Sequence, residues 1–194
     1  MVATPSTMLP LGTKAPSFTL QDVREDRLFS LPETSGENGL LISFICNHCP
    51  YVIHILNSLV QNCHKWLDYD IKVIFISSND TLKYPDDNPE KMKRLAEEYE
   101  FRFPYLFDEE QSVAKSYRAA CTPDLYLFDN QQKLFYRGQY DDSRPGNSIM
   151  PSGIDLKNAI NFLKNDQAPP AIQKPSLGCN LKWKPGNEPD YFIK

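Results

Sequence analysis

The sequence predicts an α/β domain with a mixed central sheet, and three observations predict it. Two short, continuous apolar runs, Leu40–Ile45 (LLISFI) and Ile71–Ser77 (IKVIFIS), read as strands buried on both faces. Between them, Val52, Leu56, Leu59, Cys63 and Trp66 recur at steps of four and three, which is one face of a helix. Later, Leu125–Phe128 (LYLF) and Leu134–Tyr140 (LFYRGQY) flank the turn-like pair Asp129-Asn130 and resemble a hairpin. Strand–helix–strand early and hairpin–helix late make a mixed sheet.

Taken in order, residues 9–35 form an opening segment in which turn formers give way to the alternation Phe18, Leu20. Gly39 precedes the first buried run. Pro50 falls in the first turn of the helix that follows, where a missing N–H is tolerated, so the chain passes from strand to helix across residues 46–50. After the second run, Asn88-Pro89-Glu90 reads as an N-cap with proline at N1, opening a helix through about Tyr99. Pro104–Phe107 is a short apolar piece, residues 111–118 suit a short helix, and Ile154–Leu163 suits a last one. Five prolines (Pro169, Pro170, Pro175, Pro185 and Pro189) then fall in the tail, which predicts neither a long helix nor a central strand there. Leu177, Leu181, Trp183, Tyr191 and Phe192 give that tail something to bury. The predicted organisation is therefore one domain over residues 1–167, with an extended segment, 168–194, wrapped on it.

A chain of 194 residues suits one domain of ordinary size. With 41% hydrophobic and 24% charged residues, wholesale disorder is not expected. No stretch approaches the roughly 18 apolar residues of a membrane-spanning helix. The first residues, MVATPSTMLP, lack a basic start and an apolar run, so no secretory signal is expected and a cytoplasmic protein is. The net charge of −4, with scattered Lys and Arg, argues against a nucleic-acid binder. Nor is there a G-x-G-x-x-G or P-loop fingerprint, and no cofactor is predicted.

Five cysteines (Cys46, Cys49, Cys63, Cys121 and Cys179) are too few and too spread for a disulfide scaffold. Cys46-Asn47-His48-Cys49 is the strongest chemical signal. Two thiols two residues apart at a helix start can close a disulfide with little rearrangement. Unpaired N–H groups and the helix dipole favour a thiolate there, and only the thiolate attacks a disulfide or a peroxide effectively. Protonated His48 would further stabilise a thiolate at Cys46. A zinc site is the rival reading, since His48, His54, Cys63 and His64 are near in sequence. Cys63, however, falls on the apolar helix face, where a small buried hydrophobe explains it. Redox chemistry is the expectation, with no metal.

Cys121-Thr122-Pro123 stands just before the LYLF strand. A cis bond before Pro123 would leave a backbone group of Thr122 available beside the pair; an ordinary proline at a strand's start is the plainer reading.

The segments APSFTL, SFI, CNHCPYV and TPDLYLFD resemble the thioredoxin superfamily, specifically its redoxin branch of peroxiredoxin-like proteins carrying a thioredoxin-style C-x-x-C. The tail motif SLGCNLKWKPGNEP extends the resemblance over about residues 9–187. It implies a thioredoxin fold, three layers with a central mixed sheet between helices. Cys46 is implied as the attacking thiol, Cys49 as the resolving one, and Pro123 as the cis proline facing them. His48 takes the histidine place of oxidising members. The peroxiredoxin motif Pro-x-x-x-Thr-x-x-Cys fits poorly: with Cys49 last, Cys46 stands at Thr and Ile42 at Pro, and Arg118 is the nearest counterpart of its arginine. Without those donors peroxide would be poorly oriented and weakly polarised. The acid expected on the strand before the pair is absent, Ser43 being the polar side chain of that run. Cys179 and Cys121 are additional redox candidates or packed thiols.

The expected function is thiol–disulfide exchange with protein or small-molecule disulfides and dithiols. A thiol-dependent peroxidase is the first alternative. A non-catalytic binding domain is the second, in which Cys46→Ser would leave the cellular role intact.

Overall fold

The computed structural model describes residues 3–31 and 38–192. Positions 32–35 of the expected opening segment, and the two residues at each end of the chain, lie outside the described residues. In chain order the elements are β1 (Ala3–Pro5), β2 (Phe18–Asp22), β3 (Arg27–Leu31), β4 (Gly39–Phe44), α1 (Pro50–Leu67), β5 (Ile71–Ser77), a 3-10 turn (Pro85–Asp87), α2 (Pro89–Glu98), β6 (Tyr105–Phe107), α3 (Ser112–Ser116), β7 (Cys121–Thr122), β8 (Asp124–Phe128), β9 (Leu134–Gly138), α4 (Ile154–Lys164) and β10 (Leu177–Asn180).

Seven strands form the main sheet in the order β3-β2-β6-β5-β4-β8-β9. The β4–β5 and β5–β6 pairs are parallel and the others antiparallel, so the sheet is mixed. Period-two alternation sorts its side chains into two cores. Leu41, Val73, Phe75, Leu125 and Leu127 pack with α1, α2 and α4. Leu40, Ile42, Phe44, Ile74, Ile76, Tyr126 and Phe128 pack with α3, with Leu9 and Phe18 of the opening segment, and with Leu181 and Trp183 of the tail. The architecture is the three-layer α/β/α thioredoxin fold. Among the described residues no helix is long and apolar enough to cross a membrane.

Local chemistry explains the boundaries. Asn88 caps α2, its side chain accepting from the Lys91 amide at 2.9 Å, with Pro89 in the first turn. Pro50 likewise starts α1, whose N-cap is Cys49. Gly39, at φ +147°, leads into β4 with no room for a Cβ, which would meet Leu163 Cδ2 and Phe128 O at 2.9 Å.

The opening segment is more ordered than its alternation suggested, with β2 and β3 paired as a hairpin. The tail also departs from expectation. Its prolines argued against a central strand, yet β10 is the middle strand of a second sheet, β1-β10-β7. Pro175 and Pro185 bracket this strand rather than interrupt it, so the segment between them keeps every N–H for pairing. The rest of the tail is stitched down by Gln111. Its amide donates to Ser78 O and Lys182 O at 2.7 and 2.9 Å, and its oxygen accepts from the Lys184 amide at 2.8 Å.

Candidate active site

The connection from β4 to α1 carries the cysteine pair. Cys49 caps α1 in extended backbone geometry, its carbonyl oxygen accepting from the Ile53 amide at 2.9 Å, so its sulfur stands at the amide end of the helix. The Cys46 thiol hydrogen-bonds Cys49 from the loop side. Opposite them stands Thr122, joined to Pro123 by a cis peptide bond. Its hydroxyl lies 3.4 Å from Cys46 Sγ, and its carbonyl oxygen lies 3.1 Å from Cys49 Sγ. The predicted residues Cys46, Cys49, Thr122 and Pro123 are thus gathered at one point.

A third sulfur joins them. In β10, Cys179 is in register with Thr122, and Cys179 Sγ lies 2.8 Å from Cys49 Sγ. All three cysteines are deeply buried, at 1% (Cys46), 0% (Cys49) and 2% (Cys179) exposure, so the sulfurs are closed off from solvent with β10 in place. Cys121 does not join the cluster: its Sγ contacts Pro123 O at 3.5 Å, and burial pushes its thiol up. Cys63 is packed in the core and likewise raised by burial.

The electrostatics choose one sulfur. A protonated Cys49 has the Thr122 carbonyl as its acceptor, but an ionised Cys49 has the larger set of partners, the Cys179 and Cys46 thiols as donors. The larger set holds Cys49 well below the ordinary thiol value, hydrogen bonding from Cys179 being the leading cause and that from Cys46 the next. Cys46 and Cys179 move the other way, above all because each keeps its proton to donate to Cys49. Cys46 is the expected thiolate; the shift here is downward at Cys49, the residue that caps α1, and upward at Cys46, chiefly through the hydrogen bonds among the three sulfurs.

His48 faces a partner that the sequence did not point out. Its Nδ1 lies 2.7 Å from Asp87 Oδ2, and this carboxylate raises the imidazole's pKa so that it holds a proton more firmly. The ring stacks on Tyr84, with centroids 5.4 Å apart. Asp87 is fully buried, and it also accepts from the Asn47 amide and from Asn79 Nδ2, both at 2.8 Å. Asn79 Oδ1 in turn accepts from the Lys182 amide of the tail at 2.8 Å. One carboxylate therefore ties the cysteine loop to the segment beyond β10. In sequence Asp87 sits beside the α2 cap, and a helix start explains an acid there. Only the fold brings it to His48. A second buried acid, Asp124, follows the cis proline directly. Its Oδ2 accepts from the Ala120 amide and from Tyr126 OH, and burial pushes it up to about 6.

Cys46, His48 and Asp87 place ligand-type atoms within 4.8 Å of one another, the arrangement a metal would need. Both Asp87 oxygens, however, are committed to amide donors and to His48, so the group fits a hydrogen-bonded ion pair better than a ligand set. Arg118 is not turned to the sulfurs: its guanidinium lies 4.6 Å over the Tyr191 ring, beside Asp190.

A structure of an uncharacterized conserved protein from Geobacillus kaustophilus is similar at 46% identity and a TM-score of 0.94, covering 96% of this chain and 98% of that one. A hypothetical protein from Sinorhizobium meliloti 1021 is similar at 40% identity and a TM-score of 0.91, covering 94% of this chain and 100% of that one. At 18% identity and a TM-score of 0.61, the thioredoxin domain of a thiol-disulfide oxidoreductase from Bacteroides vulgatus shares the fold, covering 79% of this chain and 99% of that one. No curated protein matches the chain. The AhpC/TSA family model matches residues 11–137, well over half of the chain, and with that span the chain belongs to the AhpC/TSA family of thioredoxin-fold redox proteins.

Proposed function

We propose that the protein is a thiol–disulfide oxidoreductase whose working couple is the Cys46/Cys49 dithiol. The observation that carries this reading is the gathering of both sulfurs at the start of α1 against Thr122 of the cis bond, whose hydroxyl lies 3.4 Å from Cys46 Sγ and whose carbonyl oxygen lies 3.1 Å from Cys49 Sγ. The Cys49 thiolate attacks a sulfur of a substrate disulfide, one substrate thiolate leaves, and a mixed disulfide forms on Cys49. Cys46 then attacks Cys49 Sγ, giving its proton to the second departing thiolate and closing Cys46–Cys49. His48, kept protonated by Asp87, places a positive charge beside the thiolate and is the positioning residue of the site. Protein or small-molecule disulfides and dithiols are the partners, and a reducing cytoplasm suits a chain with this thiol chemistry.

The test is oxidation of the reduced chain with glutathione disulfide, followed by peptide mapping. The expected product is an intramolecular Cys46–Cys49 bond, and Cys46→Ser or Cys49→Ser each lowers turnover of glutathione disulfide at least ~100-fold. Full turnover in both variants overturns the reading. Peroxidase action is the second reading, favoured by the burial of Cys49, which admits a small oxidant more readily than a protein. Stopped-flow oxidation by hydrogen peroxide decides it: a rate no faster than that of free cysteine removes peroxidase action.

A further inference from the structure

The exchange above uses two sulfurs, yet three are gathered. Cys49 is the middle one, with Cys46 beside it on the loop side and Cys179 Sγ 2.8 Å away on the other. Cys179 does not reach this place by loose packing. β10 pairs with β7 through Cys179↔Thr122 and Asn180↔Cys121, and with β1 through Ala3↔Cys179, so the sulfur is held between two strands. Gly178 lets β10 close on the cis peptide: a Cβ there would stand 2.0 Å from Thr122 O. Lys182, farther along the tail, is a nearby positive charge that favours the ionised form of Cys179. Cys63 and Cys121 are as deeply buried and have no such set of contacts.

Building on the dithiol reading, we propose that Cys179 is a third redox-active residue, which takes over the disulfide of the Cys46/Cys49 couple by exchange at the Cys49 sulfur. Cys179 Sγ attacks Cys49 Sγ of the oxidised pair. The Cys49–Cys179 bond forms as the Cys46–Cys49 bond breaks. Cys46 leaves with the electron pair and takes up the proton that Cys179 gives up. One disulfide is exchanged for another, so no oxidant or reductant enters the step. The product ties the tail to the start of α1, residues 130 apart in sequence, and returns Cys46 as a thiol.

The full chain is equilibrated in a glutathione redox buffer, quenched with acid and mapped for disulfide-linked peptides. In the wild type a Cys49–Cys179 peptide is expected beside Cys46–Cys49. Cys46→Ser still loses two thiols per chain, to Cys49–Cys179 alone, and Cys179→Ser forms Cys46–Cys49 alone. If Cys179→Ser forms its bond but Cys49–Cys179 is missing from both Cys46→Ser and the wild type, the inference falls and the dithiol reading stands. If Cys179→Ser forms no Cys46–Cys49 bond, the dithiol reading falls, and the inference falls with it. Should Cys46→Ser fail to fold, as read by circular dichroism, the wild-type map alone decides: absence of Cys49–Cys179 overturns the inference.

Discussion

Asp124 shows how one residue beside the site sets a pH dependence. Fully buried at the start of β8, its carboxyl is pushed up to about 6 by desolvation. The unfolded chain holds the same group near ~3.9, so folding takes up a proton between those values. The stability this contributes is whole below about pH 4 and is lost as the pH rises through about 6. Asp124→Asn removes the dependence. Thermal melts of the two chains should diverge in the variant's favour from about pH 4 to about pH 7.5, by up to roughly 3 kcal/mol. A gap that stays constant with pH refutes the assignment. The family resemblance implies a buried acid on the strand before the cysteines, where Ser43 stands. The acids of the site come instead from a turn and from β8, and neither position carries a periodic signal.

At the scale of elements, the strands and helices with strong periodicity were legible. The runs at β4 and β5, the face of α1, the Asn88-Pro89 cap and the β8–β9 hairpin all appear where the pattern puts them. What escaped were the elements that exist through distant pairing. β10 is four residues, LGCN, without a β-branched side chain, and its partners lie in β1 and β7. Its close contact with Thr122 depends on glycine, which makes Gly178→Val the sharpest test of the second sheet. The added side chain meets backbone at 2.0 Å and cannot be accommodated without moving the strand. A loss of more than ~2 kcal/mol in urea melts is expected, with the cut of limited proteolysis moving into the tail. Wild-type stability and protection would show that β10 is not held by this contact. Of the site itself, the C-x-x-C pair could be read from spacing, whereas the place of Pro123 opposite it followed from the family resemblance. The Cys49–Cys179 contact could not be read, because no local rule links a helix cap to a strand so far along the chain.

On the scale of the whole molecule, the tail is a wall of the second core rather than an appendage. Leu181 and Trp183 are buried against the sheet face that α3 covers incompletely, and Gln111 and Asn79 hold the backbone between them in place. Burying side chains of that size contributes about 1.5–3 kcal/mol each. Removing residues 168–194 therefore costs on the order of 5 kcal/mol, and Tm should fall by at least ~10 °C in calorimetry. A truncated chain that melts with the full one would make the segment a separate unit.

Burial of the sulfurs beneath β10 has one more consequence. A small electrophile such as iodoacetamide reaches Cys49 only in the instants when the strand has lifted, so its labelling rate counts those openings. At low reagent the rate rises in proportion to concentration and reports how often the strand stands open; at high reagent it levels off at the opening rate. The thiol cluster thus carries its own stopwatch, readable with a single chemical and a mass spectrometer.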